Sequence, residues 1–73
     1  MNTEKLIKQA KVFFDLKQYQ QAIDLYKILY KQSGELVYIK NIAYLYYLKG
    51  DEEKAIKIMV FYYNEIDNRN ADF

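Results

Sequence analysis

QAKVFFDLKQYQQAIDLYKILY (residues 9–30) and IAYLYYLKGDEEKAIKIMVFYY (residues 42–63) come into register when the chain is shifted on itself by 33 residues. Ala10 then meets Ala43, Phe13 meets Tyr46, Phe14 meets Tyr47, Ala22 meets Ala55, Ile23 meets Ile56, and Leu29 with Tyr30 meet Tyr62 with Tyr63. Small residues fall on small ones and aromatic on aromatic, as expected of a repeated supersecondary unit. Within each copy the spacing is helical. Leu6, Ala10 and Phe13, flanked by Ile7 and Phe14, share one face, and Ala22, Leu25, Tyr26 and Leu29 share the next. The pattern predicts an all-α chain of two tandem helix-turn-helix hairpins, with four antiparallel helices near 3–16, 19–32, 36–49 and 52–66. The expected organisation is one domain over 1–73: a first repeat at about 3–35, a second at about 36–68 and a short polar tail at 69–73.

Local signals punctuate that pattern. Thr3 is placed as N-cap of the first helix, and Ser33-Gly34 separates the copies, because Gly adopts the left-handed C-cap conformation without steric cost. In Lys49-Gly50-Asp51, Gly50 is expected to end the third helix and Asp51 to cap the fourth, with Glu52 and Glu53 well placed in its first turn. The first intra-hairpin turn has Lys17 where the second has Gly50. A left-handed residue there costs roughly 1 kcal/mol more as Lys than as Gly, so a different turn form is expected.

Composition narrows the function classes. The 73 residues are 52% apolar, with nine Tyr and four Phe, and contain no Pro, no Cys and two Gly. So short a chain buries only about 60% of the surface it exposes unfolded, and with no disulfide to compensate, stability must come from packing or association. The net charge of +1 gives no bulk field for nucleic acid or an anionic membrane. The longest uncharged run, Asn41 to Leu48, is far below the roughly 20 residues that span a bilayer. The N-terminus lacks the apolar core of a secretory signal, so a cytoplasmic location is expected.

With no His, no Cys, one Ser and one Thr, the usual general base, thiolate nucleophile and serine triad cannot be assembled. Asp51, Glu52 and Glu53 read as cap and first-turn charges rather than a catalytic or metal-binding cluster, and two isolated glycines make no phosphate loop. No catalytic residue, metal or cofactor is expected. Lys5, Lys8 and Lys11 recur along the first helix, but Glu4 and Asp15 share that surface and Arg occurs once. A solvated face is the expectation there, and nucleic-acid partners are not expected.

The order of small and aromatic residues resembles the tetratricopeptide repeat. It runs Ala10, Phe13, Tyr19, Ala22, Tyr26, Leu29 in the first copy and Ala43, Tyr46, Gly50, Ala55, Met59, Tyr62 in the second. Ala10 and Ala43 stand at the family's usual Gly, and no Pro closes either copy. The resemblance implies protein recognition along a concave groove lined by the first helix of each hairpin. By motif position the groove residues are Ile7, Lys11 and Phe14, then Val37, Lys40, Tyr44 and Tyr47. Phe14 and Tyr47 are open to a core reading as well. Large Tyr surfaces with Lys at the rim suit a bound peptide. The Lys and Asn clamp for a C-terminal carboxylate, found in some members, is not expected, since Ile7 and Lys11 stand at its positions.

The last helix is over-supplied with apolar side chains. Ala55, Ile56, Ile58, Met59, Val60, Tyr62, Tyr63 and Ile66 sweep an arc of about 200°, twice the stripe a terminal helix needs. Phe61 stands apart among the polar residues. In repeat proteins the second helix of a hairpin is covered by the next repeat or by a polar capping helix, and the residues from Asp67 onward suit neither. Two copies are also fewer than the three or so that usually form a stable stack. Both arguments predict a missing neighbour. Ile56, Val60, Phe61 and Tyr63 are the self-association candidates, and a homodimer or larger homo-oligomer is expected. The functional expectation is therefore a non-enzymatic interaction or assembly module. An adaptor or secretion-type chaperone for a client protein is the alternative, and a nucleic-acid accessory protein is the reading from another class.

Overall fold

A computed structural model describes residues 3–70. It contains α1 (Thr3–Asp15), α2 (Tyr19–Ser33), α3 (Leu36–Lys49) and α4 (Glu52–Asn70), with no strand among the described residues. Each helix packs on its sequence neighbour, α1 on α2, α2 on α3 and α3 on α4. Aromatic rings reach further, with Phe14 of α1 stacked on Tyr44 of α3 at 6.2 Å and Tyr30 of α2 meeting the edge of Phe61 on α4 at 6.5 Å. The result is a flat stack measuring 41 × 32 × 13 Å.

The four alanines are where the helices approach most closely. Ala10, Ala22, Ala43 and Ala55 are all buried, and three of them are at most 2% exposed. A methyl at these points brings the helix axes together, and the neighbouring rings fill the flanking space. The centre of the core is Ile23, Leu29 and Leu45, contributed by α2 and α3. α3 is buried on several sides, through Tyr38, Ile39, Ile42, Ala43, Leu45 and Tyr46, because it lies between α2 and α4. By contrast, among the described residues Ala55 is the only one of α4 in the buried core.

The expected turn difference at Lys17 does not occur. Lys17 adopts φ 61°, and Gly50 adopts φ 96° at the equivalent place. The hydrogen bonds coincide as well: Gln18 N–H donates to Phe13 O at 2.8 Å, and Asp51 N–H donates to Tyr46 O at 2.9 Å. Both hairpins thus need the same left-handed residue, and packing across the Ala pair imposes it on Lys17 against its local preference. The other stop is as expected, with left-handed Gly34 donating to Tyr30 O at 2.7 Å. Ser33 Oγ donates to Leu29 O at 3.0 Å and accepts from Glu35 N–H at 3.1 Å.

At the helix starts, Asp51 caps α4 by accepting from Lys54 N–H at 3.2 Å. Thr3, expected as a cap, is instead the first helical residue of α1, and the capping position before it lies outside the described residues. α4 runs to Asn70, four residues beyond the expected end, so residues 69 and 70 of the expected polar tail are helical and 71–73 lie outside the described residues. The extra turn is tied down where Arg69 Nη2 donates to Gly34 O at 2.8 Å. A cation in the last turn also opposes the partial negative charge of the helix C-terminus.

Three stability outcomes follow from this geometry. Lys17→Gly should raise the unfolding free energy by about 1 kcal/mol, whereas Gly50→Ala, whose added methyl meets nothing within 4 Å, should lower it by a similar amount through backbone strain alone. Ala22→Leu should overpack the α1–α2 contact and cost about 1–3 kcal/mol. Urea denaturation followed by circular dichroism reads all three.

Candidate functional site

The 33-residue shift provides an internal control for exposure. Ile23 is 0% exposed, while its counterpart Ile56 is 63% exposed. Tyr26 is 8% exposed, and its counterpart Met59 is only half-buried. The cause is direct: α3 covers the open side of the first hairpin, and no element among the described residues does the same for the second. Burial under α3 pushes the Tyr26 phenol above its ordinary value, and the neighbouring Tyr38 phenol, with its ring centroid at 6.1 Å, adds to the shift.

The uncovered side of α3 and α4 is a single apolar cleft of about 600 Å³. Ala43, Ala55 and Met59 form its floor, with Tyr44 and Tyr47 on one wall and Ile56, Val60 and Tyr63 on the other. Lys40, near the start of α3, and Glu52, at the start of α4, also line it. Because the two helices run antiparallel, these charges mark opposite ends. Val60 departs from the repeat, since the first copy has Lys27 at that position. The change places an exposed apolar side chain where the fold of a hairpin asks only for a soluble one.

Parts of the expected groove and of the expected self-association surface thus lie side by side. Lys40, Tyr44 and Tyr47 from the first set share this cleft with Ile56, Val60 and Tyr63 from the second. Lys11, Phe14 and Tyr44 line a smaller cleft of about 240 Å³ with Tyr26, Asn41 and Leu45. Phe14 also packs on the core and meets Tyr19 edge-on at 6.3 Å, so it is both core and wall. Ile7 packs against the core, and Val37 is exposed but lines neither cleft.

Phe61 goes elsewhere. It turns towards α2 and joins Lys27, Tyr30, Ile39, Ile42, Lys57 and Ile58 around a separate hollow of about 310 Å³. Its neighbour Tyr30 was not apparent in a helical projection, because that projection shows the angle of a side chain but not the helix it faces. Tyr62 packs against the core and meets Tyr63 edge-on at 5.4 Å. Sequence reasoning assigned Met59 to the hairpin interior and Glu52 only to the helix dipole. The place of Met59 was legible through its counterpart Tyr26, whose ring centroid lies 6.1 Å from that of Tyr38 on α3.

The family model of the tetratricopeptide repeat matches residues 4–31, the span of α1 and most of α2. The first hairpin is thus similar to a tetratricopeptide repeat. The second hairpin lies outside the matched residues and is related to the first by the 33-residue shift and the same turn geometry. Tetratricopeptide repeats are typically non-enzymatic and mediate protein–protein interactions. No curated protein and no solved structure matches the chain. Among the described residues no cluster of three or more His, Cys, Asp or Glu could hold a metal ion, and no helix is long and apolar enough to cross a membrane.

The exposure contrast has a direct stability readout. In dilute solution Ile23→Ala should cost about 2–5 kcal/mol, as for a buried core deletion, whereas Ile56→Ala should stay within about 0.5 kcal/mol. Equal losses would mean that the α3–α4 cleft is already covered in the isolated chain.

Proposed function

We propose that this chain is an assembly module of tetratricopeptide type that self-associates through its last helix, using the α3–α4 cleft as its docking surface. The observation that carries this reading is Ile56, 63% exposed at the repeat position where Ile23 is fully buried. A repeat stack gains stability from each interface between neighbours, and a terminal hairpin left apolar forgoes one of them. Five large side chains in the cleft, Tyr44, Tyr47, Ile56, Val60 and Tyr63, are each more than half exposed. An apolar patch of that kind on a small domain marks an interaction site.

A client helix or peptide held in the same cleft is the second reading, that of an adaptor or secretion-type chaperone. The two tyrosines of α3 beside Lys40 favour it, since rigid aromatic surface binds at low entropic cost. Loss of a captured partner on combining Tyr44→Ala with Tyr47→Ala would mark this role.

Sedimentation at micromolar concentration separates the two. Self-association predicts a mass above the 8.9 kDa monomer that falls to the monomer in Val60→Glu or Tyr63→Glu, with helical circular dichroism retained. A burial-disrupting charge in such a patch should weaken association at least tenfold. A stably folded monomer in the unaltered chain would overturn self-association in favour of a client.

A further inference from the structure

The two ends of the stack are not alike. α3 packs back on α2 through Tyr38, Ile42 and Leu45, all at most 6% exposed. The corresponding positions of α1 are Lys5, Gln9 and Val12, and with Lys8 and Phe13 they line a shallow hollow that is mostly apolar in surface but carries two ammonium groups. The first helix thus carries two lysines and a glutamine on its outer face beside the exposed Val12, whereas the last hairpin is open and more continuously apolar. Head-to-tail stacking would set Lys5 and Lys8 against the Lys40 end of the cleft, because the first helices of successive hairpins run parallel. Like charges and an apolar wall facing ammonium groups oppose that arrangement.

The cleft complements itself instead. Its Lys40 end and its Glu52 end are exchanged by a two-fold axis across its middle, so each charge of one copy meets the opposite charge of the other. The apolar side chains between them then face their own equivalents. Covering the exposed parts of Tyr44, Tyr47, Ile56, Val60 and Tyr63 would remove roughly 600 Å² on each copy, given that an aromatic side chain offers 150–250 Å². The pair would bury about 1,200 Å², at the lower bound for a specific interface.

Resting on the self-association reading above, we propose that the occupant of the α3–α4 cleft is α4 of a second copy in a closed two-fold dimer, with Glu52 of each chain beside Lys40 of the other. The register has a test that self-association alone does not pass. Lys40→Glu makes both end contacts repulsive in its own dimer, and so does Glu52→Lys. Mixing the two variants restores opposite charges at both ends. Both residues are exposed, so the helical fold should survive each change.

The experiment is sedimentation equilibrium at low salt of the unaltered chain, each variant and their equimolar mixture. The unaltered chain should plateau at twice 8.9 kDa. Each variant alone should dimerise on the order of tenfold more weakly, as two exposed pairs change from attraction to repulsion. The mixture should recover the original affinity, and the recovery should fade at high salt. If the unaltered chain dimerises and Val60→Glu abolishes it, but the mixture gains nothing over the separate variants, the register is wrong and the self-association reading survives. Mass that keeps growing with concentration overturns the closed dimer. A monomeric unaltered chain overturns the self-association reading itself.

Discussion

The close approach of helices at Ala10, Ala22, Ala43 and Ala55 is the constraint on which the rest of this structure depends. The helices of the first hairpin are joined by three residues and those of the second by two, which holds them antiparallel and leaves little slack to move them apart. With only a methyl between the backbones, the remaining volume is set, and aromatic side chains of matching size occupy it. The left-handed turn residue follows from the same demand. Lys17 takes φ 61° because the chain must reverse there to bring Ala22 into contact, and packing outweighs the local steric preference.

Stacking hairpins makes burial depend on having a neighbour on each side. α3 meets that condition, with α2 on one flank and α4 on the other, and is buried over much of its circumference. α1 and α4 do not, and they resolve the exposure in opposite ways. α1 turns Lys5, Lys8 and Gln9 outward, whereas α4 turns Ile56, Val60 and Tyr63 outward. A small domain with limited buried surface has little stability to spare, so a partner bound at its apolar end would stabilise the fold through mass action. The cleft is lined by Ala55, Ile56 and Met59, whose counterparts Ala22, Ile23 and Tyr26 are buried in the first hairpin.

Much of this was legible in the sequence. A 33-residue shift that superposes small on small and aromatic on aromatic specifies two hairpins, since only a helical repeat with close contacts requires Ala at those four places. Gly34, Gly50 and Asp51 marked helix ends because each answers a backbone requirement that is local. The excess of apolar side chains on α4 was visible for the same reason, being a property of one helix seen along its own axis.

What only the tertiary structure decided depends on which helix lies opposite which. Phe61 finds Tyr30 across the stack, a neighbour 31 residues away that no periodicity indicates. Arg69 extends α4 by reaching the carbonyl of Gly34, a long-range bond that local helix signals cannot anticipate. Lys40, Tyr44 and Tyr47, expected in a groove, and Ile56, Val60 and Tyr63, expected in a self-association surface, line one cleft, with Lys40 and Glu52 at its opposite ends. Sequence alone determined the repeat, the helices and their apolar faces, because those are set by spacing along the chain. The joining of faces into a site was decided by the stacking of antiparallel helices, because it depends on distances across the chain.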